Sequence, residues 1–177
     1  MKRNRSSRAR PASGAAQAGG RDSDFSGTIE TVGESDLPEL LPLMRGYCDF
    51  YEVAPSDENL LALSRALIAD PAREGVQLIA RDEDGKAIGF ATVYWLWSTL
   101  SAARIGLMND LFVDPAGRGS GAADALIRAC ADRVREHGGT SLQWQTALDN
   151  DRAQAVYDRV GGKRSQWLDY SLRVSGA

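Results

Sequence analysis

The sequence predicts a three-layer α/β or α+β domain, in which a mixed β-sheet carries helices on both faces. Apolar residues recur at strand-like and helix-like spacings in the order β-α-α-β-β-β-α-β-α-β. Some successive strands are joined by short turns and others by helices. The sheet is therefore expected to contain both antiparallel hairpins and crossover connections.

The composition is that of one globular domain. The chain has 177 residues, of which 43% are hydrophobic and 25% charged. These values exclude a wholly disordered or collagen-like chain. No apolar run approaches the roughly 20 residues that a membrane span needs. Cys48 and Cys130 form no Cys-x-x-Cys pair, which favours reduced thiols and a cytoplasmic protein without a metal site.

The N-terminal segment differs from the rest of the chain. Residues 1–26 have a net charge of +4 and one large apolar residue after the initiator Met, Phe25. Such a segment cannot bury enough apolar surface to offset its ordering entropy, so we predict a disordered basic tail before a folded domain at 27–177. The acidic domain favours cationic substrates and makes nucleic-acid binding unlikely, except through the basic tail.

The first elements are a strand at 28–32 and a helix at 37–51, whose apolar residues fall on one face. A second helix at 56–69 lies between Pro55 and Pro71.

The second half of the chain begins with a hairpin of strands 76–81 and 86–97, for which Asp84-Gly85 is the turn signal. The remaining predicted elements are a strand at 104–113, a helix at 122–137 that ends at two glycines, a strand at 141–146, a helix at 151–160 and a final strand at 168–174.

A glycine-rich loop lies between strand 104–113 and helix 122–137. Residues 109–123 read NDLFVDPAGRGSGAA, so three glycines and Arg118 come directly before a helix that begins with small residues. Glycines allow a ligand to approach the backbone closely. The unpaired amides and the dipole at a helix N-terminus favour an anion. The loop therefore indicates a phosphate-binding site.

Three kinds of phosphate site use glycine-rich loops of this type. A P-loop would need a Lys that is missing. A dinucleotide site would need G-x-G-x-x-G/A, which Gly117, Gly119 and Ala122 match, although the loop lies far from a first βαβ unit. A coenzyme A pyrophosphate loop would need Arg/Gln-x-x-Gly-x-Gly/Ala, which Arg118, Gly121 and Ala123 match.

A second motif follows the glycine-rich loop, after the next predicted helix and strand. Asn150, Ala153, Tyr157 and Gly161 form the pattern Asn-x-x-Ala-x-x-x-Tyr-x-x-x-Gly. With both motifs in order and a strand between them, residues 27–174 resemble the GNAT family of acyl-CoA N-acetyltransferases.

Shorter stretches suggest a branch of that family. Residues 47–53, 109–114 and 152–161 resemble fungal acetyltransferases that act on histones, polyamines and D-amino acids. Gly162 departs from the family pattern, which usually has an aromatic residue after the glycine of the second motif.

The resemblance implies the GNAT fold, with a mostly antiparallel central sheet of about six to seven strands. It also implies direct transfer of an acetyl group from acetyl-CoA to a primary amine in a ternary complex. The acceptor would be a small amine, a polyamine, an amino acid or a lysine side chain. A catalytically silent CoA-binding sensor and a dinucleotide-binding protein remain the alternatives. Aromatic residues on predicted strands make a homodimer plausible.

The resemblance also assigns residues to the cofactor. The loop would hold the pyrophosphate, the strand edge would meet the pantetheine and thioester, and the start of the last helix would bind the pantetheine arm. The loop residues are Arg118, Gly119, Ser120, Gly121, Ala122 and Ala123. The strand residues are Leu111, Phe112 and Val113, and the helix residue is Asn150. Taken alone, Asn150 would simply be a helix N-cap.

Two residues are the catalytic candidates. The resemblance makes Tyr157 the general acid for the CoA thiolate, whereas its apolar helix face alone would indicate a core residue. Asp110 is the candidate general base, because Asn109 and Asp110 interrupt an apolar strand. A solvated bulge is the alternative for Asp110. Tyr51, Glu52 and Asn109 are the candidate substrate-binding residues.

Overall fold

The structure is a computed structural model that describes residues 25–172 and residue 174. Over these residues the chain forms five strands and four α-helices. In chain order they are β1 (Thr28–Thr31), α1 (Leu37–Phe50), α2 (Asp57–Ala69), β2 (Gly75–Arg81), β3 (Ala87–Ser98), β4 (Ala103–Val113), α3 (Ala122–Glu136), β5 (Leu142–Gln143) and α4 (Asp151–Arg159). The prediction of a basic tail falls, up to residue 24, outside the described residues.

The strands form one sheet in the order β1-β2-β3-β4-β5. The first four are successive antiparallel neighbours, and β5 joins β4 in parallel after the α3 crossover. The mixed, mostly antiparallel α/β architecture is thereby confirmed.

The strand count is lower than the predicted six to seven. Residues 168–172 alternate apolar and polar side chains but form no strand, and Leu168, Tyr170 and Leu172 are 81–90% exposed. The strand predicted at 141–146 is reduced to Leu142–Gln143. Alternation specifies which face of a strand is apolar, but a strand also needs a neighbouring edge to pair with. A two-residue β5 offers too short an edge.

Each face of the sheet has its own core. On one face α3 packs Leu126, Cys130 and Val134 against the middle strands. On the other face α1 and α2 bury Leu40, Met44 and Leu60, among others, against the sheet. These two cores confirm the predicted three-layer arrangement, with the sheet between layers of helices.

Helix α1 packs on β4 through Gly46. A Cβ atom added at Gly46 would be 2.8 Å from Cζ of Phe112, so the ring of Phe112 fills the space that a side chain at position 46 would need. The close packing brings the neighbouring residue Tyr47 over the sheet, with its ring centroid 5.9 Å from that of Phe90.

The strands β4 and β5 pair over two positions and then separate. Gly106 pairs with Leu142 and Leu107 with Gln143, and no later pair follows among the described residues. On its other edge β4 stays paired with β3 as far as Val113. The outer edge of the last part of β4 is therefore free of strand partners in this part of the chain.

An ion pair links helix α4 to α3. Arg159 donates to both carboxylate oxygens of the buried Asp124, at 2.8 and 2.7 Å. Asn150 caps the start of α4 by accepting a hydrogen bond from the Ala153 amide at 3.1 Å. Apolar residues of α4 are partly buried against the core on the α3 face of the sheet, so polar and apolar contacts together hold the helix beside the separated strands.

None of the helices in the described part of the chain is long and apolar enough to cross a membrane.

Candidate active site

A cavity of about 1220 Å³ lies between the free edge of β4 and helix α4. All the residues predicted to bind the cofactor line it, although they come from four different segments of the chain. They are Leu111, Phe112, Val113, Arg118, Gly119, Ser120, Gly121, Ala122, Ala123, Asn150 and Tyr157.

The glycine-rich loop forms one end of the cavity. Gly119 and Gly121 both have φ of +86°, a conformation that favours glycine. Gly121 occupies the N-cap position of α3 and has no side chain to cap it, so the helix start stays open to a ligand. Ser120 accepts a hydrogen bond from the Ala122 amide at 3.4 Å. The loop thus has the geometry of an anion site at a helix N-terminus.

Basic side chains surround this end. Arg118, Arg128, Arg152 and Arg159 all line the cavity. Arg118 is held against β4 by donating from Nε to the Val113 carbonyl at 3.2 Å. Asp124 also lines the cavity and pairs with Arg159, but the lining keeps a net positive charge that favours an anionic ligand.

The free edge of β4 forms one wall. Asp114 donates its amide to the Ile88 carbonyl of β3 at 2.8 Å, so by alternation the amides of Leu111 and Val113 point away from β3. Phe112 differs from its two neighbours, because its amide faces β3 and its ring packs against Phe90. Leu111 and Val113 therefore offer donors to a ligand, and Phe112 contributes wall surface.

Tyr157 lies on the opposite wall, on α4. Its ring centroid is 5.4 Å from that of Trp144, and burial raises the pKa of its hydroxyl. The same packing explains Gly162. A Cβ atom there would lie 2.8 Å from the Tyr157 carbonyl oxygen and 3.0 Å from the Trp144 ring. Trp144 occupies the space that a larger residue at position 162 would need.

The other end of the cavity is aromatic. Tyr47, Phe50 and Tyr51 line it, and Tyr51 packs edge-on against both Tyr47 and Phe50 with centroid distances of 5.0 Å. Tyr51 was a predicted substrate residue, whereas sequence reasoning missed Tyr47. The position of Tyr47 on the apolar face of α1 indicated a core residue. The only available signal was a hydroxyl group within that face.

Asp110 lies behind this aromatic end. Neither Asp110 nor Asn109 is among the described residues that line the cavity, but Tyr47 is. Its hydroxyl donates to the Asn109 carbonyl oxygen at 3.5 Å and lies within hydrogen-bonding reach of the Asp110 carboxylate. Asn109 donates to the same carboxylate at 3.0 Å. Burial raises the pKa of Asp110, and hydrogen bonds from Thr92, Asn109 and Tyr47 oppose that rise.

Glu52 lies immediately after α1 in a left-handed conformation, with φ of +55°. The Val53 amide donates to the Cys48 carbonyl at 3.1 Å, which is the helix-ending pattern that usually has glycine at this position. Glu52 is exposed and does not line the cavity, unlike its neighbour Tyr51. The chain thus has a strained acidic residue next to the aromatic end.

No cluster of three or more metal-ligating side chains occurs within residues 25–172.

The model of the acetyltransferase (GNAT) family matches residues 40–162. The uncharacterized N-acetyltransferase YhfO of Bacillus subtilis is 35% identical over 147 residues, which cover 82% of this chain and 97% of that protein. The D-amino-acid N-acetyltransferase HPA3 of Saccharomyces cerevisiae is 34% identical over 86 residues, covering 49% of this chain and 53% of that protein. The fungal resemblance thus has only loose support.

Solved structures have the same fold. The crystal structure of a probable acetyltransferase superposes with a TM-score of 0.73 at 27% identity, covering 85% of this chain and 99% of that chain. The structure of AAC(6')-Iy in complex with the bisubstrate analog CoA-S-monomethyl-acetylneamine gives a TM-score of 0.72 at 20% identity, with 84% and 99% covered. These matches do not favour a silent sensor or a dinucleotide-binding protein. The chain belongs to the acetyltransferase (GNAT) family and is an N-acetyltransferase.

Proposed function

We propose that this protein transfers the acetyl group of acetyl-CoA directly to a primary amine within a ternary complex. The observation that carries the proposal is one continuous cavity that joins an anion-binding loop to Tyr157 and to Tyr47, the hydrogen-bond partner of Asp110. The bisubstrate complex of a protein with the same fold supports CoA as the donor. In this arrangement the loop holds the pyrophosphate, and Leu111, Val113 and Asn150 bind the pantetheine arm.

Replacing Ala123 tests the cofactor site. Ala123 lies in the first turn of α3, where an acidic residue stabilises the helix but repels a pyrophosphate. Ala123→Glu is expected to fold at least as stably as the wild type and to lose the rise in unfolding temperature on adding acetyl-CoA. At 100 times the dissociation constant the wild type should gain about 2.7 kcal/mol. Ala123→Gln, the uncharged control, should keep most of that gain, and equal gains in both variants would contradict the assignment.

The reaction requires two proton transfers, one from the amine and one to the departing thiolate. An amine with a pKa of about 10.4 is protonated at neutral pH and must lose a proton to become a nucleophile. Tyr47 passes its hydroxyl proton to Asp110 as it accepts one from the amine. The amine nitrogen then attacks the thioester carbonyl carbon, and the amides of Leu111 and Val113 stabilise the oxyanion. The carbon–sulfur bond breaks, and Tyr157 protonates the departing thiolate.

Tyr157→Phe is expected to lower kcat by about 10²- to 10⁴-fold, the range typical of losing a general acid. The KM for acetyl-CoA should change little, because the ring and its contact with Trp144 remain. Steady-state CoA release measures both parameters. Wild-type turnover in this variant would exclude Tyr157 as the acid.

Asp110→Asn is expected to change the shape of the pH–rate profile. In the wild type, kcat/KM should fall as the pH drops through the raised pKa of Asp110 and level off above it. In the variant only the free amine reacts, so the rate should be lower and should keep rising toward the pKa of the substrate amine. A profile that still levels off at the wild-type midpoint would rule out Asp110 as the base.

The acceptor site is suited to a cationic amine. Tyr47, Phe50 and Tyr51 present aromatic rings to which an ammonium group can bind, and Glu52 and Asp110 add negative charge nearby. This combination supports a polyamine, an amino acid or a lysine side chain as the acceptor class.

Glu52→Gln is expected to raise the KM for a dicationic amine by about two- to fivefold, the effect of losing one exposed charge. The kcat should be unchanged. The left-handed conformation of residue 52 is equally strained in the wild type and in the variant, so strain does not distinguish them. Kinetics with a dicationic and a monocationic amine measure the selectivity. Glu83→Gln, which removes an exposed acid in the β2–β3 turn, is the control. An unchanged KM ratio would exclude Glu52 from the acceptor site.

We further infer a cytoplasmic homodimer. Trp97 and Leu100 at the β3–β4 hairpin are exposed, as are Leu168 and Tyr170, so the monomer presents apolar surface suited to association. Cys48 and Cys130 are buried free thiols, which suits a reducing compartment. Light scattering should give twice the chain mass of 19.1 kDa, and a monomer mass would contradict the dimer.

A further inference from the structure

A row of three polar side chains crosses the sheet beneath α1. In the strand register Gln77 of β2 is opposite Thr92 of β3, and Thr92 is opposite Asp110 of β4. Gln77 is 3% exposed and Thr92 is fully buried. The next row on the same face is apolar and consists of Ile79, Phe90 and Phe112. Polar groups thus occupy a position where the neighbouring row has only core residues.

The hydrogen bonds in this row have a defined direction. Gln77 donates from Nε2 to Thr92 Oγ1 at 3.2 Å. Thr92 is the register partner of Asp110 and lies close enough to donate to its carboxylate, which can only accept when ionised. The Thr92 hydroxyl proton therefore points to Asp110, and the amide of Gln77 holds the hydroxyl in that orientation.

The strand register adds to the constraint. The pairing of β3 with β4 shifts between Thr92 and Val93, so Asn109 is an extra residue on β4. This bulge keeps Asp110 opposite Thr92 while Met108 stays opposite Val93 in the other core. The side chain of Asp110 is thereby aimed at α1 and Tyr47.

One member of the row leaves a polar atom unpaired. Gln77 Oε1 is buried and accepts no hydrogen bond from the described residues. A buried unsatisfied acceptor is unfavourable, whereas an apolar residue of similar size would fill the position without that loss. A purely structural role therefore does not explain an amide at position 77.

We propose that Thr92, oriented by Gln77, is a positioning residue that holds the Asp110 carboxylate toward Tyr47 for proton transfer from the acceptor amine. This inference rests on the proposed function, in which Asp110 is the base. The groups that face Asp110 are Tyr47 from α1, Thr92 and Tyr94 from β3, and Asn109 beside it on β4. The donors Thr92, Asn109 and Tyr47 favour the charged carboxylate, which burial disfavours, and so oppose the rise in its pKa.

Thr92→Val and Thr92→Ser form the matched pair that tests the proposal. Valine keeps the shape of threonine but cannot donate, whereas serine keeps the hydroxyl. In Thr92→Val the lost hydrogen bond should raise the pKa of Asp110, so the acid midpoint of kcat/KM should move up by about one pH unit. The kcat at neutral pH should fall, and Thr92→Ser should restore both values toward the wild type.

Gln77→Met provides a second, independent variant. It removes the donor that orients Thr92 and also removes the unsatisfied oxygen. Its unfolding temperature should be equal to or above that of the wild type, while its acid midpoint should shift in the same direction as that of Thr92→Val. Lower stability together with a wild-type pH profile would indicate a structural residue and would overturn the proposal.

The outcomes separate this proposal from the proposed function. If kcat/KM of Asp110→Asn still levels off with pH at the wild-type midpoint, Asp110 is not the base and the positioning role fails with it. If the pH profile of kcat/KM loses its plateau in Asp110→Asn but keeps the wild-type midpoint in both Thr92→Val and Thr92→Ser, only the positioning role is overturned. Equal losses of kcat in the valine and serine variants would also overturn it, because the hydroxyl would then be irrelevant.

Discussion

The separation of β4 from β5 after two paired positions is the feature on which the site depends. Backbone amides inside a sheet are normally satisfied by the neighbouring strand. Here the amides of Leu111 and Val113 face a cavity instead, so a ligand with acceptor groups can take the place of a strand. The same gap directs the chain from Val113 into the glycine-rich loop. Pyrophosphate, pantetheine and thioester can therefore be held along one continuous wall.

Two close contacts position residues on either side of that cavity. Gly46 allows α1 to approach Phe112, which positions Tyr47 and Tyr51 at the aromatic end. The Asp124–Arg159 ion pair holds α4 against α3 and with it Tyr157. Tyr47, Tyr51 and Tyr157 are thus positioned in the cavity lining by these two contacts. Small shifts of reacting groups are costly in catalysis, so this rigidity has functional value.

The polar row beneath α1 illustrates a conflict between stability and function. A core formed only of residues such as Ile79, Phe90 and Phe112 would be more stable than one containing Gln77 and Thr92. Strain at Glu52 is a second departure of this kind at the same end of the cavity. Glu52 adjoins the proposed acceptor site and the polar row reaches toward it through Asp110, at a place where natural proteins tend to tolerate locally unfavourable choices.

The sequence alone determined the features that depend on neighbouring residues: the order of elements, the loop that leads into α3, and the Asn150 cap of α4. Glycine torsions, helix caps and apolar periodicity act over a few residues, so they can be read locally. Only the tertiary structure brought Tyr47 to Asp110 and aligned Gln77 with Thr92, because strand register and helix packing join residues distant in the chain. It also decided that 168–172 forms no strand, because a strand exists only where another edge is available to pair with it.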